Sequence, residues 1–515
     1  MDGAPGAVPT LAQALGPTLV PMVVTAVLAA LLTTVLVLGT AALVLLKGGR
    51  RLMRRWTTRP AGETAMHLPL SLESTPWQDV LFAELRAETG DVPVRPMGSR
   101  RPALTLDLVD LVAAQLAEKP VPMDAHVDLS VELCPHVPRP LRMSLPVYIS
   151  GMGYGVALSR EAKLALALGS ALAGSAVCSG EGAFLPEEPV LAHRWIYQVG
   201  RGAWTHTPDA VRRADMIEIH VGQGAEVAAP LTKPPGRLGE GVRKAMGLRD
   251  DEPAVIRSRL HWQGRTVELA ELVRILRDLN PDVPVGVKLA ASDVLEADLA
   301  VAVEAGVDFI AIDGEEAGTG NAPLGLSDAM GVSLLPALAR ADDWLRAQGV
   351  RARVALLASG GLRQPADFLK VMALGADAVG IGTVALIALA HRQFEAILPD
   401  PPSRLVSHGS ELARGFNAVQ GAHNLANFLE SCRKGLQLLL RAVGRRSVKE
   451  LTRADLSCRD RDLAESLGIR WNLAPADPHR LAVRHLRWAA VRTGEHLDAL
   501  ELRFGLLRSA GGARR

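Results

Sequence analysis

Lys288 stands alone in an otherwise apolar run, Val283–Ala291 (VPVGVKLAA). An ammonium facing packed helices would be an unpaired buried charge, which is expensive. The economical solutions are a cavity holding an anion or electron-rich ring, or a structural ion pair. Ser179-Gly180-Glu181-Gly182 sets a carboxylate between two glycines. Glu181 is either a solvated turn acid or a group that orients a substrate ammonium or moves a proton. The third element is a pair of turns, Ser359-Gly360-Gly361 and Gly380-Ile381-Gly382-Thr383, each ending an apolar run. Glycines let backbone N–H groups approach an oxyanion closely, so two successive turns of this kind suit a phosphate.

Three further stretches could serve the same site. In Ser150-Gly151-Met152-Gly153-Tyr154-Gly155 the small residues clear space for a flat ring and Met152 offers a soft apolar contact. A dinucleotide fingerprint is the rival there, but the full GxGxxG is missing, as is an acid ending a second strand about 20 residues on. Asp313–Gly320 (DGEEAGTG) is an acidic, glycine-rich loop of the kind that holds substrates or acts as a lid. His220-Val221-Gly222-Gln223-Gly224 opens a long segment that includes Lys233-Pro234-Pro235-Gly236. The thirteen histidines show no clustered spacing, so no metal site is expected. A phosphate cradle, a lysine and room for a ring point to a phosphorylated planar cofactor. FMN fits best; pyridoxal phosphate and a phosphosugar substrate remain as alternatives.

Positioning these groups calls for parallel strands. Apolar runs occur at 146–150, 175–179, 195–199, 216–221, 283–289, 308–313, 354–358 and 378–382. Helical patterns at 160–172, 267–279, 294–305, 334–348 and 365–374 alternate with them. Such alternation implies a parallel sheet with crossover helices. Several strands are apolar on both faces, as in a sheet buried on both sides. The expected fold is α/β, a (β/α)8 TIM barrel, with a doubly wound sheet as the rival. In such barrels the loops after strands seven and eight commonly hold phosphate.

The chain has 515 residues and a net charge of +2, and no nucleic-acid partner is expected. Its four cysteines are widely separated, which fits a reducing compartment rather than a disulfide framework. No charged residue lies between Asp2 and Lys47, and Met22–Leu46 is almost purely apolar. At ~1.5 Å per residue that run exceeds the ~30 Å hydrocarbon core of a bilayer. Lys47, Arg50, Arg51, Arg54, Arg55 and Arg59 follow at once, placing what comes next in the cytoplasm. The expected organisation is an extracytoplasmic tail (1–17), a transmembrane helix (18–46) and a basic juxtamembrane connector (47–102). A barrel with its lead-in (103–395) and a C-terminal helical extension (396–515) follow. The expected location is the inner membrane, single-pass, with the catalytic domain in the cytoplasm.

In order along the chain, ISGMGYGVALSREAKLALALG, SGEGAF, MIEIHVGQGAE, VPVGVKLA, DFIAIDGEEAGTGNAPLG and ASGGL…LGADAVGIGTVAL resemble the FMN-binding central domain of the glutamate synthase family, in its shorter stand-alone form. The resemblance covers about residues 100–445 and implies a barrel whose reduced flavin delivers hydride to an imine of a 2-oxo acid. It implies flavin contacts at Ser150, Met152 and Lys288, with Gly151 beside them. Phosphate contacts are implied at Ser359, Gly360, Gly361, Gly382 and Thr383, with Gly380 in the same turn. It implies that Glu181 and Gln223 face the substrate and that Gly318-Thr319-Gly320 closes over it. Typical members bind an iron–sulfur cluster through cysteines shortly after the last strand; VALIALAHRQFEAILPDPPSRL has none, so no cluster is expected. Tyr154 stands where the family more often has phenylalanine, and Ala183 where it usually has glycine.

The expected activity is that of a membrane-anchored, FMN-dependent oxidoreductase interconverting a 2-imino acid and an amino acid. Lys288 would stabilise charge on the flavin and Glu181 would position or protonate the substrate. A separate electron donor or ammonia-supplying protein is an expected partner. Two alternatives are an N-methylglutamate synthase-like, glutamate-transferring subunit that needs a partner protein, and a degenerate barrel acting as a membrane-tethered scaffold.

Overall fold

In the computed structural model the described residues are 104–393 apart from Ala225, 403–473, 77–90, 92, 94–99 and several positions between 25 and 47. Eight parallel strands close into a barrel. They are β1 (Val147–Ile149), β2 (Ala176–Cys178), β3 (Arg194–Val199), β4 (Met216–His220), β5 (Val285–Ala290), β6 (Phe309–Asp313), β7 (Ala355–Ser359) and β8 (Ala378–Ile381). Register runs continuously around the ring and shuts where Gly380 of β8 pairs with Tyr148 of β1. Every residue of β1, β2, β4, β6, β7 and β8 is buried, which is why they appear in sequence as apolar runs rather than alternating ones. The doubly wound alternative is excluded by closure.

The crossovers are α1 (Arg160–Leu172), α2 (Glu188–Leu191), α3 (Pro208–Arg213), α4 (Leu269–Leu279), α5 (Leu295–Glu304), α6 (Leu334–Ala347) and α7 (Pro365–Ala373). Their ends follow local chemistry. Ser159 caps α1 by accepting from the Ala162 amide. Gln364 and Asp367 form a capping box on α7, with Pro365 at its first position. After β8 comes α8 (Thr383–Leu389), and later the long α9 (Ala418–Val443). Ala422, Leu425, Leu429, Cys432, Leu436 and Leu440 form a buried stripe along α9 at helical spacing. Gly169 of α1 lets the two helices approach closely, since a Cβ there would stand 2.8 Å from the Ala422 carbonyl oxygen. The outer ring of the barrel is thus completed by residues from the C-terminal extension.

Two segments depart from the sequence expectation. The loop after β6 is half of a ribbon: Thr319–Pro323 pairs antiparallel with Val94–Met97. The segment between β4 and α4 is also structured. Leu231–Lys233 pairs with Ala254–Ile256, and Trp204, Leu238, Val242 and Met246 form a small apolar cluster beneath it.

Residues 1–93 form a separate unit. Within it Trp77–Thr89 is a helix, and positions 28–40 are helical, with Thr33 and Thr34 hydroxyls donating to the Ala29 and Ala30 carbonyls. The transmembrane helix expected over 18–46 is not found: among the described residues no helix is long and apolar enough to cross a membrane. Much of that segment, and of the basic connector, lies outside the described residues.

Candidate active site

At the carboxyl ends of the strands a cavity of about 460 Å³ opens between β1, β5, β6, β7 and β8. Ser150, Gly151, Met152, Lys288, Ser359, Gly360, Gly361, Gly380, Gly382 and Thr383 all line it. Every residue expected to meet a flavin or its phosphate therefore borders one space. Its size is in the usual range for small-molecule and cofactor sites.

The phosphate end is built from backbone. Gly360 and Gly361 have φ of +128° and +68°, values that disfavour any side chain. A Cβ on Gly382 would meet nothing within 4 Å, so its backbone faces open space. Gly382 also precedes the first turn of α8, whose leading amides have no partners within the helix. A Cβ on Gly380 would lie 2.4 Å from Ser150 Oγ, so glycine there makes room for the serine. Ser150 Oγ and Tyr148 Oη are buried with no hydrogen-bond partner in the chain. Two orphaned hydroxyls beside bare glycine turns, in a cavity of this size, fit a phosphorylated group.

Lys288 and Asp313 meet across neighbouring strands at 3.2 Å, both almost fully buried. Ser359 Oγ donates to the same Asp313 oxygen. Burial alone would lower the Lys288 pKa, but Asp313, then Glu218, outweigh it and hold the ammonium protonated. Lys288 therefore both forms an ion pair and faces the cavity. Below it, Gln198 Nε2 donates to Glu218 Oε1 at 2.7 Å.

A second, smaller chamber of about 120 Å³ adjoins the first and shares Gly151, Met152, Gln223, Gly318 and Thr319 with it. Glu181, His220, Glu226 and Lys233 line its far side. Glu181 Oε1 accepts from the Arg201 amide at 2.7 Å, and Oε2 lies 3.2 Å from His220 Nδ1. Burial favours its neutral form, but His220 and Arg201 prevail and hold the carboxyl below its ordinary pKa. Glu181 is thus an anion at neutral pH, suited to orienting a cation more than to donating a proton. Arg201 in turn donates to the carbonyls of Ala228, Ala229 and Arg257, tying β3 to the long segment above. Behind this loop, Lys163 pairs with Glu188 at 2.7 Å and donates to the Ser179 carbonyl, fixing the turn that presents Glu181.

Gln223 and Thr319 are brought together by Glu226. Gln223 Nε2 donates to its Oε2 at 3.0 Å and Thr319 Oγ1 to its Oε1 at 2.9 Å. Gly318 lines both cavities, and Gly320 lies in the adjoining ribbon. The glycines after β1 and β2 serve a purpose different from the one expected. A Cβ on Gly153 would stand 2.6 Å from the Gly182 amide, and one on Gly182 2.2 Å from the Tyr154 amide. These loops lie backbone against backbone, and a Cβ on Gly151 would likewise meet Gln198, Gly180 and Cys178 rather than open cavity.

Sequence reasoning missed Asp313, Glu226, Arg201 and the working faces of Gln198, Glu218 and His220. Glu218 and His220 did leave a signal: two polar residues two apart in an apolar strand share one face. The cysteines are all buried and unpaired, and among the described residues no group of histidine, cysteine, aspartate or glutamate could hold a metal ion.

Comparison with known proteins agrees with this geometry. The family model described as "Conserved region in glutamate synthase" matches residues 105–446. An archaeal-type glutamate synthase [NADPH] of Thermotoga maritima is 29% identical over 389 residues, covering 71% of this chain and 76% of the relative. A glutamate synthase large subunit-like protein of Rhizobium meliloti is 28% identical over 413 residues, covering 75% and 91%. Among solved structures, a mandelate oxidase mutant superposes with a TM-score of 0.43 at 18% identity, over 67% of this chain and 87% of that one. The chain belongs to the glutamate synthase family, as an FMN-dependent oxidoreductase of the class acting on carbon–nitrogen bonds.

Proposed function

We propose that the protein interconverts a 2-imino acid and an amino acid, with FMN in the larger cavity and the substrate in the smaller chamber. The observation that supports this most is that the two spaces meet at Met152 and Thr319, between Lys288 on one side and Glu181 on the other. When bound, FMN would supply the hydride chemistry that interconverts imine and amine. Lys288, kept protonated by Asp313, sets a fixed positive charge in the cavity lining, where it would favour negative charge on a bound flavin. The turns at Gly360–Gly361 and Gly382–Thr383 grip the phosphate. Glu181 holds the substrate nitrogen as its cationic form, and the Gln223–Glu226–Thr319 contacts close the chamber against water.

In this reading the protein is anchored by residues 18–46 in the inner membrane, with the barrel in the cytoplasm; the uncharged apolar run and the arginines after it support that orientation. The flavin is its redox centre, with no iron–sulfur cluster, since the four cysteines are buried and scattered. Electrons or ammonia come from a separate protein. A screen of 2-oxo acids with ammonia or methylamine, using chemically reduced holoenzyme, tests the reaction. Amino-acid formation with reoxidation of the flavin is expected, and methylamine as the better donor would favour N-methylglutamate synthase-like chemistry. No turnover with any pair would overturn the proposal.

A further inference from the structure

One short loop walls both cavities. Glu316, Ala317, Gly318 and Thr319 line the larger, and Gly318 and Thr319 line the smaller as well. The root of the loop is pinned to the barrel. Ser333 Oγ donates to Glu315 Oε1 at 2.7 Å, and the Leu334 amide donates to a Glu316 carboxylate oxygen at 3.0 Å. Its tip is held from two sides. On the inside, Thr319 Oγ1 donates to Glu226 Oε1 at 2.9 Å. On the outside, Met97 pairs with Thr319, Arg95 with Ala322 and Val94 with Pro323, and the Ser99 amide donates to the Glu315 carbonyl at 3.0 Å. A Cβ on Gly98 would stand 2.4 Å from the Glu316 carbonyl oxygen, so glycine there lets the outer strand lie flat on the loop.

This outer fastening is weak by construction. Pro96 and Pro323 bring no N–H to the ladder, and the register shifts between Arg95 and Met97. The ribbon has two strands and no third to steady it, an arrangement that is marginal in water. Segments so thinly bonded open at much lower cost than a core. Residues 1–93 run straight into this strand, which begins the barrel unit.

We infer that residues 94–99 are a releasable strap. Seated, they hold Thr319 against Glu226 and close both cavities; unseated, they free the loop tip and let the contents of the cavities enter and leave. The strap controls access and takes no part in the chemistry. That the contents are FMN and substrate rests on the function proposed above; the strap follows from the loop and its ladder.

The test locks the strap in place. Directly opposed residues of an antiparallel ladder have Cα atoms about 4.5–5.5 Å apart, within the span of a disulfide. Arg95 and Ala322 are such a pair, and the four native cysteines are buried. The full-chain variant Arg95→Cys/Ala322→Cys is therefore compared after oxidation and after treatment with dithiothreitol. FMN release from loaded protein is followed by flavin fluorescence, and hydrogen exchange of residues 220–230 is followed by mass spectrometry with no flavin added. Oxidation is expected to slow release about tenfold or more, and to slow exchange at 220–230, where Glu226 receives Thr319. Gly98→Val, which cannot lie flat on the loop, should speed both. Exchange at 220–230 that is the same in both states would overturn the strap, as would unchanged release or a pair that forms no disulfide. Slowed exchange in a chain that takes up no FMN would overturn the proposed function and leave the strap standing.

Discussion

Lys288 Nζ lies 3.2 Å from Asp313 Oδ1, joining the ends of β5 and β6 at the floor of the larger cavity. Both side chains are almost fully withdrawn from water, so neither is tolerable without the other. Asp313 also accepts from Ser359 at the head of the first glycine turn, which couples the Lys288 charge to that turn.

Asp313→Asn leaves a buried ammonium short of its counter-charge, and should destabilise the protein by about 3 kcal/mol. The sign of the pH dependence follows from the raised Lys288 pKa. The pair's contribution is complete below the unfolded lysine value of about 10.4 and fades as pH rises through the folded value. Urea midpoints of the two proteins should therefore differ by a constant amount from pH 6 to 9. A gap that closes within that range would contradict the assignment.

Gly360→Ala and Gly382→Ala separate backbone strain from ligand space. The first puts a side chain at φ +128° and should lose about 1–3 kcal/mol of stability. The second meets no protein atom, and should melt like the parent while binding FMN at least tenfold more weakly. Equal FMN affinity for Gly382→Ala and the parent would remove this turn from the phosphate site.

Glu181→Gln keeps the size of the side chain and removes its charge beside His220. FMN affinity should be unchanged and turnover should fall about 100-fold, within the range for a positioned acid–base or orienting group. Weakened FMN binding with unaltered turnover would reverse the roles given to the two cavities.

His261 stacks edge-on against His206 at 4.5 Å, and burial, then His206, push its pKa down to about 4. The unfolded chain binds a proton there between about pH 6.5 and 4 that the folded chain refuses, so stability falls as pH falls through that window. His261→Gln should flatten that slope in urea titrations. An unchanged slope would assign it to other groups.

Much of this was legible in the sequence because barrel strands buried on both faces leave apolar runs, and their carboxyl ends gather the site. Ser150, Lys288, Gly361 and Thr383 could be placed on one rim by counting strands. What could not be read was pairing between distant residues. Asp313 as the counter-charge of Lys288 depends on strand register. The Thr319–Glu226 latch joins residues 93 apart. Gly153 and Gly182 show the other limit: a loop glycine announces that something comes close, but not whether it is a ligand or another backbone.

The most direct test is FMN uptake by the full chain, read as a change in the flavin spectrum and as bound FMN per chain after gel filtration. One FMN per chain is expected, with Lys288→Ala binding it more weakly or slowing its reduction. A parent protein that stays colourless when reconstituted with FMN would contradict it.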